Sequence, residues 1–207
     1  MFTRLTAIGA KRKLALSFRR MDNDKKHRVC VVPPLLRKEV LRQTTSEGDY
    51  IHGYMVNSGF STQVMEWHKA CPQVPLRFFW DRKGETQIRH VDDTLSFHPL
   101  DDHAFLQQMS GCKAYASTAG FESICEAMYM GKPVLMVPAH IEQECNAYDA
   151  MCSGAGIVSE EFSLDRLLEF SASFHPNHKF IFWANNVNLI VENLVRPPET
   201  EANRLLY

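Results

Sequence analysis

Ser117-Thr118-Ala119-Gly120-Phe121-Glu122-Ser123-Ile124-Cys125-Glu126-Ala127-Met128-Tyr129-Met130-Gly131-Lys132-Pro133 is the stretch whose reading decides the fold. Ala114-Tyr115-Ala116 ahead of it reads as a short buried strand. Four small residues, Ser117 to Gly120, then turn the chain into a helix that runs to Met130. Gly131 is placed to stop that helix, because glycine takes the left-handed conformation that ends helices at no steric cost. Pro133 to Pro138 encloses Val134-Leu135-Met136-Val137, a second buried strand. Strand, tight turn, helix, strand is a βαβ unit, which implies a parallel sheet covered on both faces.

The same rhythm continues outward. Upstream, Tyr50 to Val56 is an apolar run ending in the turn Asn57-Ser58-Gly59, and residues Phe60 to Ala70 follow as a helix with Phe60, Val64 and Trp67 on one side. Val74 to Trp80 and Leu95 to His98 are strand candidates, and Asp101-Asp102 can cap a helix carrying Phe105, Leu106 and Met109. Downstream, helices are expected at about Glu142 to Cys152, Ser163 to Phe174 and Lys179 to Leu194. The fold class is therefore α/β, a Rossmann-like doubly wound parallel sheet. Ligands of such sheets bind at the carboxyl ends of strands, which selects three loops: Asn57-Ser58-Gly59, Phe97 to Asp102, and Ser117 to Gly120. No GxGxxG and no phosphate-loop GxxxxGK[ST] occurs.

The N-terminal segment differs. Lys13 to Arg19 alternates like a strand, Met21 to Arg28 is polar, and Val29-Cys30-Val31-Val32 runs into Pro33-Pro34, a stiff connection. Residues 1–36 read as a strand and linker left from a preceding domain, the strand having no obvious partner, and residues 37–207 as the main domain.

Composition narrows the class. The chain has 207 residues, 45% hydrophobic and 23% charged, with a formal net charge of -1; that suits one globular domain with an appendage and gives no global charge for nucleic-acid binding. The balance is uneven: nine Lys and Arg up to Arg28 face only Asp22 and Asp24. A solvated flank explains that excess, and a contact of this segment with an anionic membrane surface or with nucleic acid is the alternative. Six cysteines occur without a CxxC pair or zinc spacing, and they read as reduced thiols in a cytoplasmic protein, placed peripherally at the inner face of a membrane if the basic flank is used. No metal is expected.

The chemistry gathers at the quoted stretch. A strand-to-helix turn of small residues leaves main-chain N–H groups and the positive end of the helix dipole facing one point, an anion site. Gly120 lets a phosphate approach the backbone, Ser123 adds a hydroxyl one turn in, and Glu126 follows by i, i+3 spacing on the same face. A carboxylate there can accept both hydroxyls of a ribose. A tight turn with a capping hydroxyl and a surface glutamate explains the small residues alone equally well.

Gly120, Phe121, Ser123, Glu126, Gly131 and Pro133 stand in the spacing of the donor-binding signature of inverting GT-B glycosyltransferases, which include the peptidoglycan lipid-linked N-acetylglucosaminyltransferase and UDP-sugar transferases of small molecules. Glu142-Gln143-Glu144-Cys145-Asn146-Ala147 is similar to that family's Asp-Gln-x-x-Asn-Ala element. The resemblance covers roughly Asp49 to Ile157. It implies a single C-terminal GT-B domain with the missing N-terminal half, or a partner subunit, supplying the acceptor pocket and the catalytic base. It implies Thr118, Gly120 and Ser123 on the diphosphate, with Ser117 and Phe121 also at the donor site, Glu126 on the ribose, and Glu142, Gln143 and Asn146 around the sugar of a nucleotide-diphosphate donor, UDP-linked and a substrate rather than a cofactor. Phe97 and His98 would face the base through their loop, and Gly59 belongs to the neighbouring one. The sequence departs from the pattern at Thr118, where many members carry His, at Glu142, where Asp is usual, and at Glu122, where Asn is common. Retaining enzymes of the sugar-polymer class usually carry a second Glu eight residues before the ribose Glu; that position is Thr118 here, which favours inversion.

Three other readings share these residues: the donor subunit of a two-chain glycosyltransferase, a sugar-nucleotide 2-epimerase, and a non-catalytic nucleotide-sugar binding domain. His98, His103 and His140 lack ligand spacing, and Asp92-Asp93 fits a turn.

Overall fold

The computed structural model describes residues 8–195. The chain divides into two compact units, Leu36–Ile181 and a smaller one combining residues up to Leu35 with those from Phe182.

In the smaller unit β1 (Lys13–Leu16) pairs in parallel with β2 (Val29–Val32), Lys13 opposite Val29 and Leu16 opposite Val32. The strand expected to lack a partner thus has one close in sequence. Parallel pairing needs a crossover of a dozen or so residues, and residues 17–28 supply it without a helix. Polar side chains hold this loop: Asn23 Oδ1 accepts the Val31 N–H at 2.8 Å and Asp24 Oδ1 accepts the His27 N–H at 3.0 Å. Nothing in apolar periodicity signals such a connection.

The larger unit starts with a single helical turn, α1 (Lys38–Leu41), followed by β3 (Ile51–Met55), a 3-10 turn at Ser58–Phe60 and α2 (Ser61–Ala70). Then come β4 (Leu76–Trp80), β5 (Arg89–His90), β6 (Leu95–Pro99), α3 (Asp102–Gly111), β7 (Ala114–Ser117), α4 (Phe121–Tyr129), β8 (Val134–Met136), α5 (Ile141–Cys152), β9 (Gly156–Val158) and α6 (Leu164–Ser171). The sheet order is β5-β6-β4-β3-β7-β8-β9. All neighbours are parallel except the two-residue β5, which lies antiparallel at the edge. Numbered as parallel strands alone, the order is that of a Rossmann sheet, 3-2-1-4-5-6.

Alternation sorts the side chains by face. Ile51, Met55, Phe78, Trp80, Phe97, Ala114, Ala116 and Leu135 pack with Val64 of α2 and with Leu164 and Leu167 of α6. Gly53 lies in that row because the Phe78 ring occupies the place of its side chain; a Cβ there would meet Phe78 Cε1 at 2.2 Å. On the opposite face His52, Phe79 and Tyr115 meet Phe105 of α3 edge-on. Local signals fall where the residue types place them. Asp101 Oδ1 accepts the Ala104 N–H at 2.7 Å and caps α3. Gly131, at φ +69, closes α4 with its N–H on the Met128 carbonyl.

The helix expected over Lys179 to Leu194 is two helices, α7 (His178–Asn185) and α8 (Val187–Val195). Asn186 separates them, its Nδ2 donating to the Phe182 carbonyl at 2.7 Å; an asparagine that bonds the preceding turn competes with the helical ladder. Within the smaller unit α8 packs on β2, and Trp183 Nε1 donates to the Ser17 carbonyl at 3.1 Å.

Candidate functional site

The order in which successive strands extend the sheet reverses between the parallel neighbours β3 and β7, and in such sheets a ligand crevice opens where their carboxyl ends meet. The loops leaving these strands, residues 56–60 and 118–120, are stitched together there. The Thr118 N–H donates to the Tyr54 carbonyl at 3.2 Å and the Val56 N–H donates to Thr118 Oγ1 at 3.2 Å. The next loop joins through the Val137 N–H on the Ser117 carbonyl at 2.8 Å.

From this junction α4 starts. Ala119 turns the chain at φ +58, a left-handed conformation uncommon for a residue with a Cβ, and it does so fully buried. Gly120 is the N-cap at φ -67, and no side chain caps the helix. The first-turn N–H groups of a helix have no intrahelical acceptors, and here no side chain takes them up, an arrangement with the chemistry to accept an anion. The strained residue is Ala119 rather than Gly120, whose added Cβ would make only ordinary contact with Ser123 Oγ at 3.6 Å.

The expected residues divide between those facing this start and those holding it. Phe121 and Ser123 are half-buried in the first turn, and Ser123 Oγ donates to the Gly120 carbonyl at 3.2 Å. Ser117 and Thr118 are fully buried, with Thr118 serving the two loops. Gly59 is exposed, and its N–H is taken by Asn57 Oδ1 at 2.8 Å. At the start of α5 Glu142 is exposed and Asn146 half-buried, whereas Gln143 is buried with Oε1 accepting the Ala139 N–H at 2.8 Å, which fixes the loop entering the helix. Phe97 packs in the core, stacked on Trp80 at 4.4 Å. His98 lies on the other face, stacked on Phe79 and bonded through Nε2 to Ser96 Oγ at 2.9 Å. It lines a cavity of about 310 Å³ with Arg77, His90 and Gln108, and burial with the nearby Arg77 and His90 charges pulls its pKa down to about 4.

Glu126 is not an open acceptor. Its side chain is 4% exposed, and Arg37 clasps it with both prongs, Nε on Oε1 at 2.6 Å and Nη2 on Oε2 at 2.8 Å. The third nitrogen, Nη1, lies 3.3 Å from Asp102 at the start of α3. The Glu126 bond, opposed in part by burial, raises the Arg37 pKa above its ordinary value. Sequence reading missed Arg37. Its one signal is a cation just after a proline pair, and 89 residues separate it from its carboxylate.

Among the described residues no cluster of His, Cys, Asp and Glu fits a metal ion, and no helix is long and apolar enough to cross a membrane.

Comparison with solved structures finds the same fold in larger chains. The glycotransferase of kitacinnamycin matches at TM-score 0.64 and 16% identity, over 89% of this chain and 54% of its own. Spinosyn rhamnosyltransferase SpnG matches at 0.55 and 13% in complex with spinosyn aglycone, over 79% of this chain and 49% of its own. Its complex with thymidine diphosphate matches at 0.52 and 13%, over 81% and 52%. This chain thus spans about half the length of the structures it matches. No curated protein matches it. At family level the correspondence is direct, for the model described as glycosyl transferase family 1 aligns with residues 1–174, taking in the strand-to-helix turn, α4 and the start of α5. The chain belongs to glycosyl transferase family 1.

Proposed function

We propose that this chain is the donor half of an inverting glycosyltransferase and that it holds a nucleoside-diphosphate sugar, UDP-linked, across the start of α4. The observation that carries the reading is the uncapped helix start at the switch between β3 and β7. A diphosphate placed there meets main-chain N–H groups and the helix dipole, and Ser123 Oγ needs only a side-chain rotation to leave the Gly120 carbonyl and donate to it. These donors stabilise the charge that builds on the diphosphate as it departs. Glu126 takes the ribose hydroxyls, and Glu142 and Asn146 border the sugar. Thr118 and Gln143 act from behind, the first pinning two loops and the second setting the entry of α5.

In the reaction an acceptor hydroxyl oxygen attacks the anomeric carbon, the bond from that carbon to the diphosphate oxygen breaks, and a general base takes the hydroxyl proton. The base and acceptor pocket belong to a second domain or subunit in this reading. The absence of a carboxylate at Thr118 supports inversion over retention, and the thymidine diphosphate complex of the spinosyn enzyme supports a pyrimidine nucleotide.

The test is calorimetric titration of the chain with UDP, thymidine diphosphate, ADP and GDP. Saturable binding of the pyrimidine diphosphates, tighter than that of ADP and GDP, is expected. Binding of none of the four overturns the nucleotide site.

A further inference from the structure

The bidentate pair between Arg37 and Glu126 sits on the carboxylate that the nucleotide reading gives to ribose. A carboxylate can in principle accept four hydrogen bonds, so occupancy by arginine alone does not close it. Burial does: the Glu126 side chain is 4% exposed whereas Arg37 is 37% exposed, so the guanidinium forms the outer layer and the carboxylate lies beneath it. No hydroxyl reaches Glu126 while Arg37 stays in place. A second carboxylate is already positioned on the outward side, for Asp102 lies 3.3 Å from Nη1 and its side chain is 98% exposed. Asp102 shares the guanidinium with Glu126 when the pair is made and would hold it alone when the pair is broken.

We propose that Arg37 is a latch on the ribose carboxylate: clasped as it is it closes Glu126, and a nucleoside enters only as the guanidinium moves outward onto Asp102. The latch rests on the reading of α4 as the nucleotide site. It makes nucleotide affinity depend on a conformational equilibrium, since apparent affinity is the intrinsic affinity multiplied by the open fraction.

Two substitutions push the equilibrium in opposite directions. Arg37→Gln removes the bidentate clasp while its amide can still donate to Glu126, and uridine, which has the ribose without phosphates, should bind about tenfold tighter than to the native chain if about a tenth of that chain is open. Asp102→Asn removes the outward partner from a fully exposed position and should weaken uridine binding, by less than the roughly threefold of one whole exposed ion pair because Asp102 also touches Nη1 in the closed state. Nitrogen-15 NMR supplies a readout that needs no destabilising variant. The Arg37 Nε–H resonance, assigned by its loss in Arg37→Lys, should exchange slowly with water in the free protein and quickly at saturating uridine. Uridine affinity that is unchanged or weaker in Arg37→Gln, or unaltered in Asp102→Asn, or an Nε–H signal that keeps its protection under saturating uridine, overturns the latch while leaving the site intact. Failure of the native chain and both variants to bind UDP or uridine overturns the nucleotide reading, and the latch with it.

Discussion

His52 is the residue whose replacement tests the packing of the sheet most sharply. It is fully buried on β3, stacked on Tyr115 at 5.3 Å and flanked by Phe79 and Phe105 at 5.4 and 4.7 Å. Neither ring nitrogen has a partner within hydrogen-bond geometry. Burial, aided by the charge of His98, pulls its pKa down to about 3, against about 6.5 for an open histidine. The folded state therefore binds fewer protons than the unfolded chain between these values, and stability falls as pH drops through 6.5 and goes on falling towards 3. Lowering the pH from 7 to 4.5 crosses two of those units fully, and at about 1.4 kcal/mol per unit the loss through this one side chain is about 2.5 kcal/mol. His52→Leu keeps the volume and removes the titration. Urea denaturation of both proteins at pH 7 and 4.5 isolates the effect, because every other titrating group is common to the pair. The variant should lose about 2.5 kcal/mol less than the native chain over that interval. Equal losses would refute the reasoning and would mean that the ring is paired or hydrated inside the core.

Other substitutions address the framework. Lys132 is buried, with Nζ donating to the Ser46 carbonyl at 2.5 Å and the Cys112 carbonyl at 2.7 Å; Lys132→Met should cost about 1–3 kcal/mol for the carbonyls left unpaired, read as a lower urea midpoint. Gly53→Ala forces the Phe78 ring aside and should cost about 1–3 kcal/mol in the same assay. Ala119→Gly relieves a left-handed strain of about 1–2 kcal/mol, offset by about 0.5–1 kcal/mol of glycine entropy. The variant should melt at or slightly above the native temperature, and a clear fall would show that the Ala119 methyl packs more than it strains.

The βαβ alternation was legible because the central strands of the larger unit are short and apolar and because Gly131 and Asp101 mark a helix stop and a helix cap. The loops that meet at the switch point were legible for the same reason, since strand ends define them. What escaped has a common cause in distance or polarity. The short edge strand at Arg89–His90 is exposed and has no apolar signature, and β9 is three residues opened by a glycine. The break at Asn186 lies in an apolar run whose period continues across it. Phe97 and His98 share a loop signal in sequence, yet strand alternation sends one into the core and the other to the opposite face. The closing of Glu126 needed a partner 89 residues away, which spacing within one helix cannot report.

The smaller unit joins strands from the beginning of the chain to a helix near its end. Trp183 reaches Ser17 across 166 positions, and Arg12 reaches the Leu194 carbonyl across 182. Contacts this far apart carry a high loop-closure entropy and form slowly. During synthesis β1 and β2 emerge ahead of Leu36–Ile181 and wait for α8, which leaves the ribosome only after that whole unit has had time to fold. For that interval the two strands are without their helix. Their open edges are then a natural target for a chaperone, and the yield of folded protein should respond to translation speed through this unit before any other.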